Sequence, residues 1–228
     1  MDLSVFQKNI KTTFKNKDLL KQAFIHRSYI NENKQLKLEH NERLEFLGDA
    51  VLELVVTDYL FGKYETKPEG ELTAFRSSLV NANTLAIAAE KIGMNDLLLL
   101  SRGEAKDTGR ARLYILANTF EAVIGAIYLD QGYDAARDFI GSQLFNLIED
   151  IIEKRLFIDS KSLFQEKAQE KLGATPLYKT VRETGPDHNK QFTIGLFVND
   201  EKIIEGSGKS KQEAEQEAAR KALDKMSW

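Results

Sequence analysis

Glu45, Asp49, Asn118 and Glu121 are the residues whose types and spacing point most directly to chemistry. Glu45 and Asp49 stand four apart in the segment Asn41-Glu-Arg-Leu-Glu-Phe-Leu-Gly-Asp-Ala-Val-Leu52, where a helix turns both carboxylates to one face. The segment is otherwise apolar nearly all the way round, the pattern of a helix enclosed by protein. Like charges held there partly out of water are costly unless a cation or a donor sits between them. Downstream, Glu121 is the one formally charged residue of an apolar stretch at 113–129, and Asn118 lies three residues before it on the same side. Two helices would bring the four together, and a hard divalent cation suits their oxygens. The residues alone leave a second reading open for each: a rim position, or a pairing with arginine.

These side chains need helices to carry them. Apolar periodicity predicts helices over 19–30, 44–61, 72–79, 84–92, 113–129 and 135–152, punctuated by Gly62, Pro68-Glu69-Gly70, Gly93, Gly103, Gly109 and Gly132. Residues 1–152 therefore read as an all-α domain. Residues 101–112 carry charges and two glycines without apolar rhythm, an exposed loop or helix start that serves as a substrate contact or as a plain connection.

Past this domain the period changes. A helix over 162–172 precedes an extended run at 177–182, then Phe192, Ile194, Leu196 and Val198 in strict alternation, an Asn199-Asp200 turn and a third strand at 202–205. A final helix places Ala214, Ala218, Leu223 and Met226 on one side. The chain is thus multidomain, with a small α+β unit (α-β-β-β-α) over 156–226. Ser210-Lys-Gln-Glu213 is a capping-box pattern that starts the last helix at Ser210. Lys209 and Lys211 then lie at the positive end of the helix dipole, where a phosphate would offset the mismatch and Gly206-Ser-Gly208 would let a backbone approach. A solvated helix start with two incidental lysines is the alternative.

Composition bounds the rest. With 228 residues, 42% of them hydrophobic, the chain can build one large or two modest cores. It has no cysteine, which excludes disulfides, thiolate zinc sites and cysteine nucleophiles and suits a reducing cytoplasm. The first residues lack a charged n-region followed by an apolar run, and 113–129 falls short of a spanning helix, so neither a signal peptide nor a membrane segment is expected. Residues 1–154 hold 19 Lys plus Arg against 23 Asp plus Glu, and residues 155–228 hold 13 against 12. Affinity for nucleic acid would have to come from a local patch. His26 and His40 read as core or helix-end residues, and neither forms the Glu-x-x-His pair of a di-iron bundle.

The string from Asn41 to Leu52 resembles the signature of the ribonuclease III family, and Leu116-Ala-Asn-Thr-Phe-Glu-Ala-Val-Ile-Gly-Ala-Ile-Tyr-Leu-Asp130 resembles that family's second acidic motif. His26-Arg-Ser-Tyr29 and Arg76-Ser-Ser-Leu-Val-Asn81 continue the resemblance. Gly206-Ser-Gly-Lys-Ser-Lys-Gln-Glu-Ala-Glu-Gln-Glu-Ala-Ala219 and Gly185-Pro-Asp-His188 are similar to the last helix and first strand-connecting loop of a double-stranded-RNA-binding domain. Together they look like a bacterial, two-domain member.

The resemblance implies an endoribonuclease that hydrolyses double-stranded RNA with Mg²⁺, or Mn²⁺ as a substitute, and no organic cofactor. It would leave 5′-phosphate and 3′-hydroxyl ends and process ribosomal RNA precursors and other structured RNAs. Metal falls to Glu45, Asp49, Asn118 and Glu121, with Asp49 and Glu121 closest to the chemistry. A homodimer with one active site per strand is implied, with Phe46 at the subunit contact; a plain core phenylalanine is the competing view. Glu42 and Glu69 align near the family's cleavage groove, without a direct catalytic role. RNA contacts carry over to Ser162, Gln165, Gln169, His188, Lys209 and Lys211, which would read A-form shape across two minor grooves. Two departures stand out: Gln212 replaces a usual basic residue, and Asn118 replaces an acidic one. An amide offers one neutral oxygen, so metal binding should weaken. The alternative function is therefore a double-stranded-RNA-binding protein with a weakened or inactive catalytic site.

Overall fold

The computed structural model describes residues 3–153, 157, 159–186 and 190–228, and the chain divides into two compact units, residues 1–157 and 158–228. The first unit is helical: α1 (Ser4–Asn9), α2 (Lys17–Ala23), α3 (Arg27–Glu32), α4 (Glu42–Lys63), α5 (Glu69–Val80), α6 (Ala82–Lys91), α7 (Arg110–Gln131), α8 (Tyr133–Leu144) and α9 (Ile148–Glu153). Its centre is the α4–α7 pair, around which α2, α5, α6 and α8 pack. Val51, Leu52, Val55 and Val56 of α4 and Phe120, Val123, Ile124 and Ile127 of α7 are all buried there.

Two expected helices are interrupted, each for a visible reason. The 19–30 run breaks at Phe24–His26 because the backbone there pairs elsewhere: His26 N–H donates to the Leu99 carbonyl, Leu99 N–H to Phe24, and Asn41 N–H to Ile25, at 2.9–3.1 Å. The 135–152 run breaks at Phe145, whose ring stacks on Tyr59 with centroids 3.6 Å apart. α1 was not foreseen, although Leu3, Phe6 and Ile10 bury one face of it. α7 is longer than the 113–129 expectation and, by length and composition alone, apolar enough to cross a bilayer; 61% of that apolar window is buried inside the protein. Its start is set by Arg112, whose guanidinium donates to the carbonyls of Glu104, Ala105 and Asp107 and to the Asn95 side chain, at 2.9–3.2 Å. The charged 101–109 segment is therefore folded over the helix start.

Where α4 crosses α7 the backbones touch. A Cβ on Gly48 would overlap the Glu121 carbonyl oxygen and stand 2.9 Å from the Gly125 nitrogen, and a Cβ on Gly125 would overlap the Leu44 carbonyl oxygen. A glycine inside a helix costs about 1 kcal/mol relative to alanine, so two of them facing each other mark a contact that side chains cannot make.

In the second unit α10 (Ser160–Leu172) leads to β1 (Leu177–Thr184), β2 (Gln191–Val198), β3 (Glu201–Gly208) and α11 (Lys211–Met226). The strands form an antiparallel sheet in the order β1-β2-β3. Asn199 and Asp200 turn the β2–β3 hairpin with φ of 50° and 64°, the left-handed pair a two-residue hairpin prefers. Leu196 and Val198 point inward against Phe164, Ala168, Ala218 and Ala222. The Gly206–Gly208 stretch serves this packing: a Cβ on Gly206 would overlap Ala218 N and Ala214 O. The close approach expected of a ligand there is made by α11 of the protein itself.

Gly125→Ala should destabilise the protein by about 3 kcal/mol in urea denaturation, at the upper end for overpacking, because backbone rather than a mobile side chain must move. Gly62→Ala, on the same helix as Gly48 with nothing within 4 Å of the added carbon, should leave stability unchanged or slightly raised.

Candidate active site and nucleic-acid interface

The phase of α4 is fixed before its first turn. Asn41, buried at the helix start, donates its amide to the Ala23 carbonyl at 3.1 Å and its N–H to Ile25 at 2.9 Å. Glu45 and Asp49 then fall on the side that meets α7, one turn apart, and the Gly48–Glu121 contact lies between them in sequence.

The electrostatics tie these groups to one environment. Burial, followed by the charges of Asp49, Glu45 and Glu53, pushes the Glu121 carboxyl up from 4.5 to about 8. Glu45 is also raised, by burial first and then by Glu42; the Asn118 amide, donating toward it, acts in the opposite sense, and Asp49 adds a smaller push upward. Glu45, Asp49, Asn118 and Glu121 are thus brought together. Among the described residues, no three His, Asp or Glu side chains converge tightly enough to cage an ion on protein atoms alone. The arrangement is an open, partly buried cluster of like charges.

Glu53 was not anticipated as a neighbour of Glu121. The signal was available, since Glu45, Asp49 and Glu53 continue one four-residue spacing. Its charge is matched by Arg76 of α5 at 2.9 Å. Glu42 pairs with Arg27 at 3.3 Å, and His40 Nδ1 lies 3.9 Å from its other oxygen. Glu69 accepts from the Thr73 hydroxyl at 2.9 Å and lines a separate groove with Phe61, Leu72 and Arg76. His26 takes the helix-end role: its Nδ1 accepts from Ser28 N–H at the start of α3, and burial lowers its pKa.

Phe46 is no core residue. It is 81% exposed and lines a groove with Leu19, Leu44, Leu47 and Leu129.

In the second unit Ser162, Gln165 and Gln169 share one face of α10 and line a shallow groove with Glu166 and Glu170. The Ser162 hydroxyl donates to Asp159 at 2.7 Å, and Asp159, the N-cap of α10, also accepts from Gln216 of α11 at 2.7 Å. Ser210 caps α11 through Glu213 N–H, and Glu213 in turn accepts from Lys209 N–H at 2.8 Å. Lys211 pairs with Glu183 of β1 at 3.1 Å and lies 5.7 Å from the centre of the Phe192 ring. His188 lies outside the described residues.

Two crossed helices sharing acidic groups, followed by an α-β-β-β-α unit, define the class as a helical nuclease domain joined to a double-stranded-RNA-binding domain. A Ribonuclease-III-like family model matches residues 16–148, and a Double-stranded RNA binding motif model matches residues 160–226. Ribonuclease 3 of Protochlamydia amoebophila is 45% identical over 214 residues, 94% of this chain and 88% of that protein. Ribonuclease 3 of Borreliella burgdorferi is 45% identical over 224 residues, 98% and 91% of the two chains. The solved nuclease domain of ribonuclease III from Campylobacter jejuni, described for flexibility in the region involved in its dimer formation, superposes with a TM-score of 0.57 at 38% identity. It covers 65% of this chain and 97% of that one. The chain belongs to the ribonuclease III family.

The raised Glu121 pKa has a consequence for stability. The folded state favours the neutral acid, so its contribution is complete below the unfolded value near 4.5 and is lost as pH rises through about 8. In chelator, the protein should lose about 2 kcal/mol between pH 5 and 8.5 from this group, after discounting for its partial solvation. Glu121→Gln should abolish most of that loss, read by urea denaturation at the two pH values.

Proposed function

We propose that this chain is a Mg²⁺-dependent endoribonuclease that hydrolyses phosphodiester bonds of double-stranded RNA, leaving 5′-phosphate and 3′-hydroxyl ends, and that it acts in the cytoplasm on ribosomal RNA precursors and other structured RNAs. The observation that carries this is the mutual influence of Glu45 and Asp49 on one helix and the partly buried Glu121 on another, whose carboxyl pKa is pushed up to about 8 by burial and by these acidic neighbours. A pure binding module has no use for such a cluster.

Glu45, Asp49 and Glu121 would hold the ion, with the neutral oxygen of Asn118 as a weaker fourth group. The donor set suits Mg²⁺ or Mn²⁺ in being all oxygen, and since no three of the described acidic or histidine side chains are close enough to hold an ion by themselves, water would have to complete most of the shell. When bound, the metal supplies a Lewis acid and a water of lowered pKa beside the scissile phosphate. The chain's own groups do the rest. Glu121, whose carboxyl burial keeps protonated to unusually high pH, would have to lose its proton to hold a cation, so metal binding should be tighter at higher pH. Asp49 and Glu45 would add their carboxyl oxygens beside it, and the α10 face, Lys209 and Lys211 would hold the duplex by shape and phosphate. Phe46, exposed beside an apolar groove, is assigned to the contact of a homodimer that presents one site to each strand.

One observation favours a second reading, a double-stranded-RNA-binding protein without turnover: Asn118 places a neutral amide where a fourth carboxylate would bind metal. Long duplex RNA incubated with Mg²⁺ and then with Ca²⁺ separates the two. Cutting with Mg²⁺ alone is expected; retention without cutting under both ions would establish the second reading. Asn118→Asp should tighten Mn²⁺ binding about tenfold, or ~1.4 kcal/mol, in calorimetric titration; equal affinities would remove Asn118 from the metal's surroundings. Phe46→Ala should raise the dimer dissociation constant about thirtyfold in sedimentation equilibrium without altering the monomer's fold.

A further inference from the structure

The site does not end at Glu121. Arg110, Tyr114, Asn118 and Glu121 are spaced four, four and three along α7, which sets them within an arc of about 80° on one face of that helix. The two residues nearer the helix start form a pair. The Arg110 guanidinium donates to the Tyr114 hydroxyl at 3.1 Å and lies 5.6 Å from the centre of its ring. Tyr114 is 45% exposed, and Arg110 is exposed with no carboxylate partner among the described residues.

That combination is unusual in this chain. Arg27, Arg76, Arg137 and Arg220 are each paired with an acidic side chain and Arg112 is spent on the carbonyls of the 104–107 turn; Arg43, Arg102 and Arg182 are also without an ion pair, but among the described arginines Arg110 alone lies over an aromatic ring. Arg110 keeps most of its five donors free while the ring of Tyr114 limits where the guanidinium points. A planar, always-charged fork presented over an aromatic face suits a phosphodiester oxygen with the adjoining sugar against the ring.

We propose that Arg110 and Tyr114 form a backbone clamp on the duplex RNA substrate, gripping a phosphate that neighbours the one cut. The inference rests on the ribonuclease reading above and extends it to two residues on the same helix face. Arg110 lies about 12 Å along the helix from Asn118, too far to share the reacting phosphate. Both are therefore positioning residues. They fix the register of the strand against Glu45, Asp49 and Glu121, and Tyr114 acts by aiming Arg110.

The test uses the full chain, with Arg110→Ala, Arg110→Lys and Tyr114→Phe. Steady-state cleavage of a defined duplex RNA is followed with Mg²⁺, and equilibrium binding of the same duplex is followed in chelator across a salt series. Arg110→Ala should raise KM about tenfold, as for loss of one charge-assisted hydrogen bond, with kcat within about twofold of wild type. It should also lower the slope of log affinity against log salt by about one phosphate contact. Arg110→Lys should restore the salt slope, and Tyr114→Phe should raise KM by a smaller factor. A merely structural role would move neither the salt slope nor its rescue by lysine. Unchanged KM and salt slope in Arg110→Ala, or a fall in kcat at constant KM, would overturn the clamp. If wild type binds but does not cut, the metal-dependent reading fails by itself, and the salt slope still decides whether Arg110 touches the backbone.

Discussion

Two helices of this protein touch through their main chains, and the chemistry of the nuclease unit depends on that contact. Gly48 and Gly125 leave no side chain between α4 and α7, so the Glu121 carbonyl sits where a Cβ of residue 48 would be. Side chains one turn to either side then meet at short range. A wider crossing, with leucines at the interface, would bury as much apolar surface but hold Glu45 and Asp49 away from Glu121. The glycines therefore trade helix propensity for proximity, a local cost of about 1 kcal/mol each.

What that proximity creates is an electrostatic conflict. Four carboxylates, Glu45, Asp49, Glu53 and Glu121, act on one half-buried locality, and Arg76 neutralises only the outermost. Of the remaining three, Glu45 has the Asn118 amide as a donor. An amide relieves Glu45 without adding charge of either sign, so the like-charge repulsion among the three persists. The surrounding frame is made stiff enough to hold this: Asn41 locks the start of α4, and Arg112 binds the 104–107 turn to the start of α7. The tension is thus kept at the site, not relaxed by rearranging the helices.

The helices and strands were legible because their apolar periods are long and clean, as in α4, α7 and β2. The breaks were not. Nothing in the 19–30 pattern shows that Ile25 will bridge Leu99, since that pairing is between residues far apart in sequence. The acidic positions were readable from type and spacing, while their meeting depended on Gly48 and Gly125, whose cost inside buried helices was the unused clue. Phe46 illustrates the limit from the other side: its type fits a core, and only the structure shows it 81% exposed. Gly206 was read as room for a ligand and turned out to be room for α11, because a glycine before a helix reports close approach without saying of what. Arg110 fell within the segment judged loop-like while Tyr114 lay in the expected helix, so the alignment of Arg110 with Tyr114, Asn118 and Glu121 emerged only once α7 was seen to begin at Arg110.

The ion pair between Lys211 and Glu183 has an effect on the α+β unit that differs from simple stabilisation. Both groups are well exposed, so the bond itself contributes little. Glu183 instead behaves as a resident placeholder at the lysine. On the proposed reading, in which Lys211 meets an RNA phosphate, the duplex would compete with Glu183 for that lysine, and a lone carboxylate or sulfate in solution would gain almost nothing by the exchange. A rigid duplex that engages several positions together can bear the displacement once and recover it over its whole footprint. On that reading, engagement of the module would depend on the length and shape of what approaches as well as on its charge.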